Sequence, residues 1–149
     1  RARFDRYGVG EQVKFLPKTK GLTAHLSCYG MIDLCLDTFP YHGTTTSCEA
    51  FFMGLPVLSL IGEAHASRVG LSLLSAMGLD DFICHSVDDF VRQAMYWSSP
   101  NQWETLSHLR STQRTRLKHS KLCAADEFTA QFYETLSSLY HSTKNSSDS

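Results

Sequence analysis

Short apolar runs alternate along the chain with longer amphipathic stretches. The runs at residues 31–37 and 57–61 are bounded by glycine and turn residues, which is typical of buried strands. A helix of about ten residues is predicted after the first run, ended by Gly54 and Pro56, and a second helix after the other run, capped by Ser67 and ended by Gly78. Strand, helix, strand and helix with short connections predict an α/β layer with a parallel sheet.

Weaker patterns flank this unit. Val91 and Met95 are predicted to face the core from one of the flanking helices. The polar residues 142–149 predict a disordered tail, so the expected domain spans residues 1–141. The flanking elements are predicted, in chain order, as a strand at residues 13–16, a helix capped by Thr23 and reaching about Tyr29, an extended piece at 80–84, and helices at 87–97, 102–121 and 125–141.

Charge and composition argue against several classes of partner. The net charge of −1 provides no field that would attract a nucleic acid or an anionic membrane. The apolar runs are far shorter than the roughly 20 residues that a membrane helix needs. Five cysteines form no Cys-x-x-Cys pair and no His-x-x-x-His occurs, so we expect no metal site and a reducing, cytoplasmic location.

The connection between the first strand and the next helix carries the most chemistry. The strand ends at Asp37, a turn with proline and glycine follows, and Thr44, Thr45 and Thr46 begin the helix. Ligands of open α/β sheets bind beyond the carboxyl ends of strands, where helix N-termini present free amides to an anion such as a pyrophosphate. Glu49 follows one turn later on the same face and could accept two ribose hydroxyls. An ordinary capping box has the same pattern.

Three separated motifs give the chain a resemblance to a known family. They are DLCLDTFPYHGTTT from Asp33, GLPVL from Gly54 and GEAHASRVGLSLL from Gly62, in one register from about Tyr7 to Tyr140. Together they resemble the C-terminal catalytic lobe of the protein O-linked N-acetylglucosamine transferase family, with its SPINDLY-like members. The resemblance implies part of the Rossmann-like C-terminal lobe of a B-type glycosyltransferase: a parallel sheet flanked by helices, with a helical C-terminus.

The same resemblance implies an enzyme function. The lobe would bind UDP-N-acetylglucosamine for an inverting transfer to protein Ser or Thr hydroxyls, without a metal or other cofactor. Related proteins use GDP-fucose or an Asn acceptor, and a non-catalytic binding or scaffold module is a further alternative. The catalytic residues, the N-terminal catalytic lobe and tetratricopeptide repeats are expected before Arg1, so residues 1–141 would be a partial nucleotide-sugar-binding domain. Alone it should bind UDP weakly and transfer no sugar.

The resemblance also implies roles for individual residues. Thr45 and Thr46 would contact the diphosphate, and Glu49 the ribose. His25 would pack on the uracil ring, and the backbone around Lys20 would bind the edge of that base. Thr44 stands where animal relatives carry a histidine beside the diphosphate. The expected UDP-sugar site therefore comprises His25, Thr44, Thr45, Thr46, Glu49, Lys20 and Arg68.

Other polar and aromatic residues have two interpretations each. Arg68 opens a helix at the end of a strand, so it could approach the donor or the partner lobe, or it could be a solvated arginine. His65 in the preceding loop is a weaker candidate. The basic run at residues 110–121 lacks interleaved aromatic residues and predicts a solvated face rather than an RNA surface. Phe128, Phe132 and Leu136 predict a packing stripe against the sheet or the other lobe.

Overall fold

A computed structural model of the chain describes residues 1–147, and the side chains of residues 1–143. Three parallel strands form its sheet in the order β1-β2-β3, where β1 is Cys35–Leu36, β2 is Val57–Leu60 and β3 is Ile83–Cys84. Cys35 pairs with Val57, and Ser59 pairs with Ile83. The predicted α/β class with a parallel sheet is therefore confirmed.

Helices connect the strands and follow them to the C-terminus. Helix α3 follows β1, α4 follows β2 and α5 follows β3, so that each strand leads into a helix. The glycine predicted to end α4 does so: Gly78 has φ 63°, a left-handed conformation that glycine adopts without strain. The helices are α1 (Ala2–Arg6), α2 (Leu22–Ser27), α3 (Thr45–Phe52), α4 (Val69–Met77), α5 (Val87–Ser98), α6 (Trp103–Lys118) and α7 (Ala125–Ser147).

The core lies around the central strand β2. Val57, Leu58 and Ser59 are all buried, as expected for a strand that has a neighbour on each side and helices packed on it. Phe82 and Trp97 stack with ring centroids 4.4 Å apart and close the end of the core near β3. Other fully buried side chains of the core include Phe51, Leu55 and Leu74.

Elements predicted from the weaker patterns differ from the structure. Residues 13–16 form no strand, because no other strand of the described chain lies beside them. The run at residues 31–37 contributes only β1, and Leu36 is 55% exposed because β1 is an edge strand with β2 alone as its neighbour. Thr23 lies inside α2 and not at its cap, and Ser67 lies in a 3₁₀ turn before α4.

Helix α5 turns a different face to the core from the one predicted. Ser86 caps it, since its hydroxyl accepts the Asp89 amide at 3.1 Å. Val91 and Met95 are 51% and 70% exposed, whereas Phe90, Ala94 and Trp97 are packed on the core. Two rows of apolar residues on α5 have helical spacing: one contains Val91 and Met95, and the other contains Phe90, Ala94 and Trp97. Periodicity alone therefore could not decide which row faces the core.

The arginines of α6 bind backbone carbonyls of other elements. Arg114 donates to the Phe52 carbonyl at 2.8 Å, with its guanidinium 4.3 Å from the centroid of the Phe52 ring. Arg116 donates to the Gly78 carbonyl at 3.2 Å, and Arg110 to the carbonyls of Tyr29 and Ile32. Arg114 and Arg116 are exposed, as predicted for a solvated basic face, but both also bind carbonyls at the ends of α3 and α4, where unpaired carbonyls attract cationic donors.

The C-terminal helix is longer than predicted. Helix α7 runs to Ser147, past the expected end at residue 141, and residues 148–149 of the predicted tail lie outside the described residues. Phe128, Phe132 and Leu136 are 65%, 51% and 46% exposed, so the stripe does not pack on the sheet. Its packing against another lobe stays a prediction.

Buried His42 fixes the turn that joins β1 to α3. Its Nε2 lies 2.8 Å from the Leu60 carbonyl, and its Nδ1 lies 2.9 Å from the Gly70 amide nitrogen. Because an amide only donates, Nδ1 must accept, and Nε2 then carries the proton that binds the carbonyl. The imidazole therefore joins the turn to the end of β2 and to the first turn of α4.

We expect His42→Phe to lower the free energy of unfolding by about 2–4 kcal/mol, because it leaves a buried amide and a partly buried carbonyl without partners. Urea denaturation of the wild type and the variant measures this. The matched control is His85→Phe, at an exposed position, where the change should be small. Equal unfolding midpoints for His42→Phe and the control would contradict the role of the imidazole.

Candidate functional site

The Asp37 carboxylate shapes the loop at the end of β1. Its Oδ1 accepts the amides of Thr38 and Gly43 at 3.0 and 2.9 Å, and its Oδ2 accepts the Ser59 hydroxyl at 2.7 Å. The Asp37 side chain is only 4% exposed. These hydrogen bonds bend the chain back and place Gly43 directly before the first turn of α3.

The first turn of α3 has unpaired amide donors. The first helical hydrogen bond runs from the Cys48 amide to the Thr44 carbonyl at 3.0 Å, so the amides of Thr45, Thr46 and Ser47 have no acceptor within the described chain. Thr44, Thr45 and Thr46 are exposed. Free amides, three hydroxyls and the positive end of the helix dipole together suit an anion.

The capping-box alternative is not what the structure shows. The Thr44 side chain makes no capping hydrogen bond. The Glu49 carboxylate does not reach back to the start of the helix; its Oε2 lies 3.0 Å from Nε2 of His25. Neither the Thr44 nor the Glu49 side chain therefore accepts a hydrogen bond from an amide of α3.

Glu49, His25 and Tyr29 form one cluster beside the first turn of α3. The Tyr29 hydroxyl is 3.2 Å from Oε2 of Glu49 and 3.3 Å from the Thr46 carbonyl. The rings of His25 and Tyr29 meet edge to face, with centroids 5.6 Å apart. Oε2 thus has two neighbours that can donate to it, and Oε1 has no partner among the described residues.

Tyr29 is held in its protonated form. Burial, the most important cause, together with the neighbouring charge of Glu49 and the hydrogen bond to it, raises the pKa of Tyr29 to about 12. A phenol is already protonated at neutral pH, and the raised pKa extends the range in which Tyr29 can donate to Glu49 into more alkaline solution.

Two clefts flank the first turn of α3. One, of about 170 Å³, is lined by Tyr29, Asp37, Thr46 and neighbouring residues. The other, of about 410 Å³, is lined by Thr44, His65, Arg68 and the start of α4. The second cleft brings Thr44 together with the Arg68 guanidinium and the His65 imidazole.

The predicted site residues are not all drawn into one cluster. His25, Thr46 and Glu49 are connected through Tyr29, whereas Thr44 and Arg68 share the second cleft. Arg68 also donates to the Gly62 carbonyl at 3.2 Å, and Thr45 lies on the exposed first turn between the clefts. Lys20 is exposed, and its side chain has no partner in the part of the chain that the structure describes.

Sequence reasoning missed three residues that build the site. Asp37 stands at the carboxyl end of a strand and His42 in the following turn, and these positions were the available signals. Tyr29 gave no signal, because 20 residues separate it from Glu49 and nothing local relates them.

The parallel sheet and its flanking helices define part of a Rossmann-like lobe of a B-type glycosyltransferase. Residues 13–132 match the model of glycosyl transferase family 41. The chain belongs to this family, so the resemblance drawn from its three motifs is confirmed.

The chain is similar in sequence to SPINDLY proteins of plants. The chain is 41% identical over 117 residues to a probable UDP-N-acetylglucosamine–peptide N-acetylglucosaminyltransferase SPINDLY of Eustoma exaltatum subsp. russellianum, covering 78% of this chain and 12% of that protein. It is 36% identical over 132 residues to the SPINDLY protein of Solanum lycopersicum, covering 89% of this chain and 14% of that protein. The chain thus spans about an eighth of the length of these relatives.

A solved structure supports the fold as well. A point mutant of the Thermobaculum terrenum O-GlcNAc transferase superposes with a TM-score of 0.73 at 32% identity, over 91% of this chain and 26% of that one.

None of the described helices is long and apolar enough to cross a membrane.

We expect the Tyr29 phenol to titrate near pH 12 in the folded chain. Because the folded pKa lies above the ordinary value of about 10, the stability that Tyr29 confers is fully present below about pH 10 and is lost as the pH rises towards 12. The difference in phenolate absorbance between the wild type and Tyr29→Phe isolates this one group among six tyrosines. A midpoint near 10 in that difference would contradict the burial and the Glu49 contact.

Proposed function

We propose that this chain is the UDP-N-acetylglucosamine-binding part of an inverting glycosyltransferase that modifies Ser and Thr hydroxyls of proteins. The observation that carries the proposal is the arrangement at α3. A carboxylate with one unpaired oxygen, Glu49, lies one turn from free amides and from the hydroxyls of Thr45 and Thr46. This spacing suits a ribose followed by a diphosphate.

The chemistry requires stabilisation of the leaving group. An acceptor hydroxyl attacks the anomeric carbon, the bond to the diphosphate breaks, and negative charge develops on UDP. Fixed amide dipoles and the hydroxyls of Thr45 and Thr46 would stabilise the transition state where that charge appears. Membership of glycosyl transferase family 41 supports this reaction class.

Arg68 would add positive charge near the diphosphate, and His65 would add a hydrogen-bonding ring. They line the second cleft with Thr44, which replaces the histidine that the family resemblance places there. We propose that such donors, together with a lysine from the second lobe, make a metal ion unnecessary, since cationic groups offset the charge of the diphosphate and amide dipoles stabilise it.

The whole reaction would need groups that a second lobe supplies. We propose an N-terminal catalytic lobe, with tetratricopeptide repeats and a protein acceptor as further partners. The much greater length of the curated relatives is consistent with this. The five cysteines are free thiols, which fits a cytoplasmic setting.

Replacing the proposed ligand contacts should weaken UDP binding. We expect Thr45→Ala combined with Thr46→Ala, and separately Glu49→Ala, to raise the Kd for UDP about tenfold or more, because each loses hydrogen bonds to or from a charged group. Calorimetry measures the effect, with exposed Thr105→Ala and Glu104→Ala on α6 as matched controls. Binding that all the variants retain would refute the proposed site.

The identity of the donor can be tested by comparing nucleotides that carry different bases. We expect the chain to bind UDP more tightly than GDP, because His25 and the backbone near Lys20 are the proposed contacts of a uracil ring. Parallel calorimetric titrations with UDP and GDP measure the preference. Tighter binding of GDP would favour GDP-fucose as the donor, and binding of neither nucleotide would favour a scaffold module.

A further inference from the structure

Tyr29 contacts Glu49 and His25, the two side chains that the proposed function assigns to binding the nucleoside of UDP. Its hydroxyl is 3.2 Å from Oε2 of Glu49, and its ring meets the His25 ring edge to face. It comes from the 3₁₀ turn Cys28–Met31 after α2, whereas Glu49 comes from α3. Tyr29 is therefore placed to fix the two groups relative to each other.

The hydroxyl of Tyr29 has two acceptors and one hydrogen. The second acceptor is the Thr46 carbonyl, at 3.3 Å. A carboxylate is the stronger acceptor, so the hydrogen favours Glu49, while the close Thr46 carbonyl keeps the phenol against the first turn of α3. This restrains the carboxylate relative to the turn that would hold the diphosphate.

The contacts divide the two oxygens of Glu49 between structure and ligand. His25 and Tyr29 occupy Oε2, and the Glu49 side chain remains 24% exposed. Oε1 has no partner among the described residues, so it is the oxygen open to hydroxyl donors. A carboxylate without these restraints would sample several rotamers, and binding would have to select one of them.

We infer that Tyr29 is a positioning residue for the nucleotide: it holds Oε2 of Glu49 through its hydroxyl and His25 through its ring, leaving Oε1 of Glu49 for the ribose hydroxyls. This rests on the proposed function. A phenol is protonated throughout the neutral pH range, so Tyr29 can donate to Glu49 there.

The two contacts of Tyr29 can be separated by substitution. Tyr29→Phe removes the hydroxyl and keeps the ring beside His25, whereas Tyr29→Leu removes both. UDP and 2′,3′-dideoxy-UDP, which lacks both ribose hydroxyls, report on the ribose contact by calorimetry. Tyr133→Phe, at an exposed position on α7, is the matched control.

We expect the wild type and Tyr133→Phe to prefer UDP to the dideoxy compound about tenfold, as for a hydrogen bond to a charged group. Tyr29→Phe should lose most of this preference by weakening UDP binding alone. Tyr29→Leu should weaken binding of both ligands, because His25 also loses its support. In ligand-free crystals of Tyr29→Phe, the carboxylate of Glu49 should leave its 3.0 Å contact with His25.

The outcomes separate the two levels of the proposal. A wild type that binds UDP and the dideoxy compound equally would overturn the ribose assignment and this inference with it. A wild-type preference that Tyr29→Phe fully retains, or an unmoved Glu49 in its crystals, would overturn the inference alone and leave the proposed function standing.

Discussion

The site depends on one buried imidazole. His42 connects three pieces of backbone, namely its own turn, the Leu60 carbonyl at the end of β2 and the Gly70 amide at the start of α4. Both ring nitrogens are used, so only one neutral tautomer satisfies the geometry. A side chain at Gly70 would collide with this arrangement, since its Cβ would lie 2.9 Å from Nδ1 of His42. His42 thus holds the turn that leads into α3 and, with it, the position of the free amides at the start of that helix.

The carboxylates of Asp37 and Glu49 differ in how they use their oxygens, because their surroundings differ. Asp37 is almost completely buried and uses both oxygens to accept donors of the protein itself. Glu49 is more exposed and uses only Oε2 in this way. A buried carboxylate is stable only when it is fully hydrogen-bonded, whereas a partly exposed one can leave an oxygen to water or to a ligand.

Helix α6 stabilises the fold at the ends of α3 and α4 remote from the site. Arg114 and Arg116 bind carbonyls at the C-terminal ends of those helices, where the dipoles are negative. Gly54, with φ 87°, lets the chain turn sharply beneath α6, and a Cβ there would collide with the Arg110 carbonyl. The N-terminal ends of the same helices, at Thr44 and Arg68, remain open to a ligand.

Local sequence determined the elements whose signals are short-range. Apolar runs and helix-ending glycines predicted the parallel sheet and α3, and the threonines after β1 predicted where that helix begins, because these features depend on neighbours within a few residues. Tertiary structure decided which row of α5 faces inward, that the arginines of α6 bind carbonyls, and that Tyr29 meets Glu49. Each of these depends on contacts between residues far apart in the chain, where packing selects among patterns that are locally equivalent. The hydroxyl-rich start of α3 could therefore be predicted from the sequence, but the contact of Tyr29 with the Glu49 carboxylate could not.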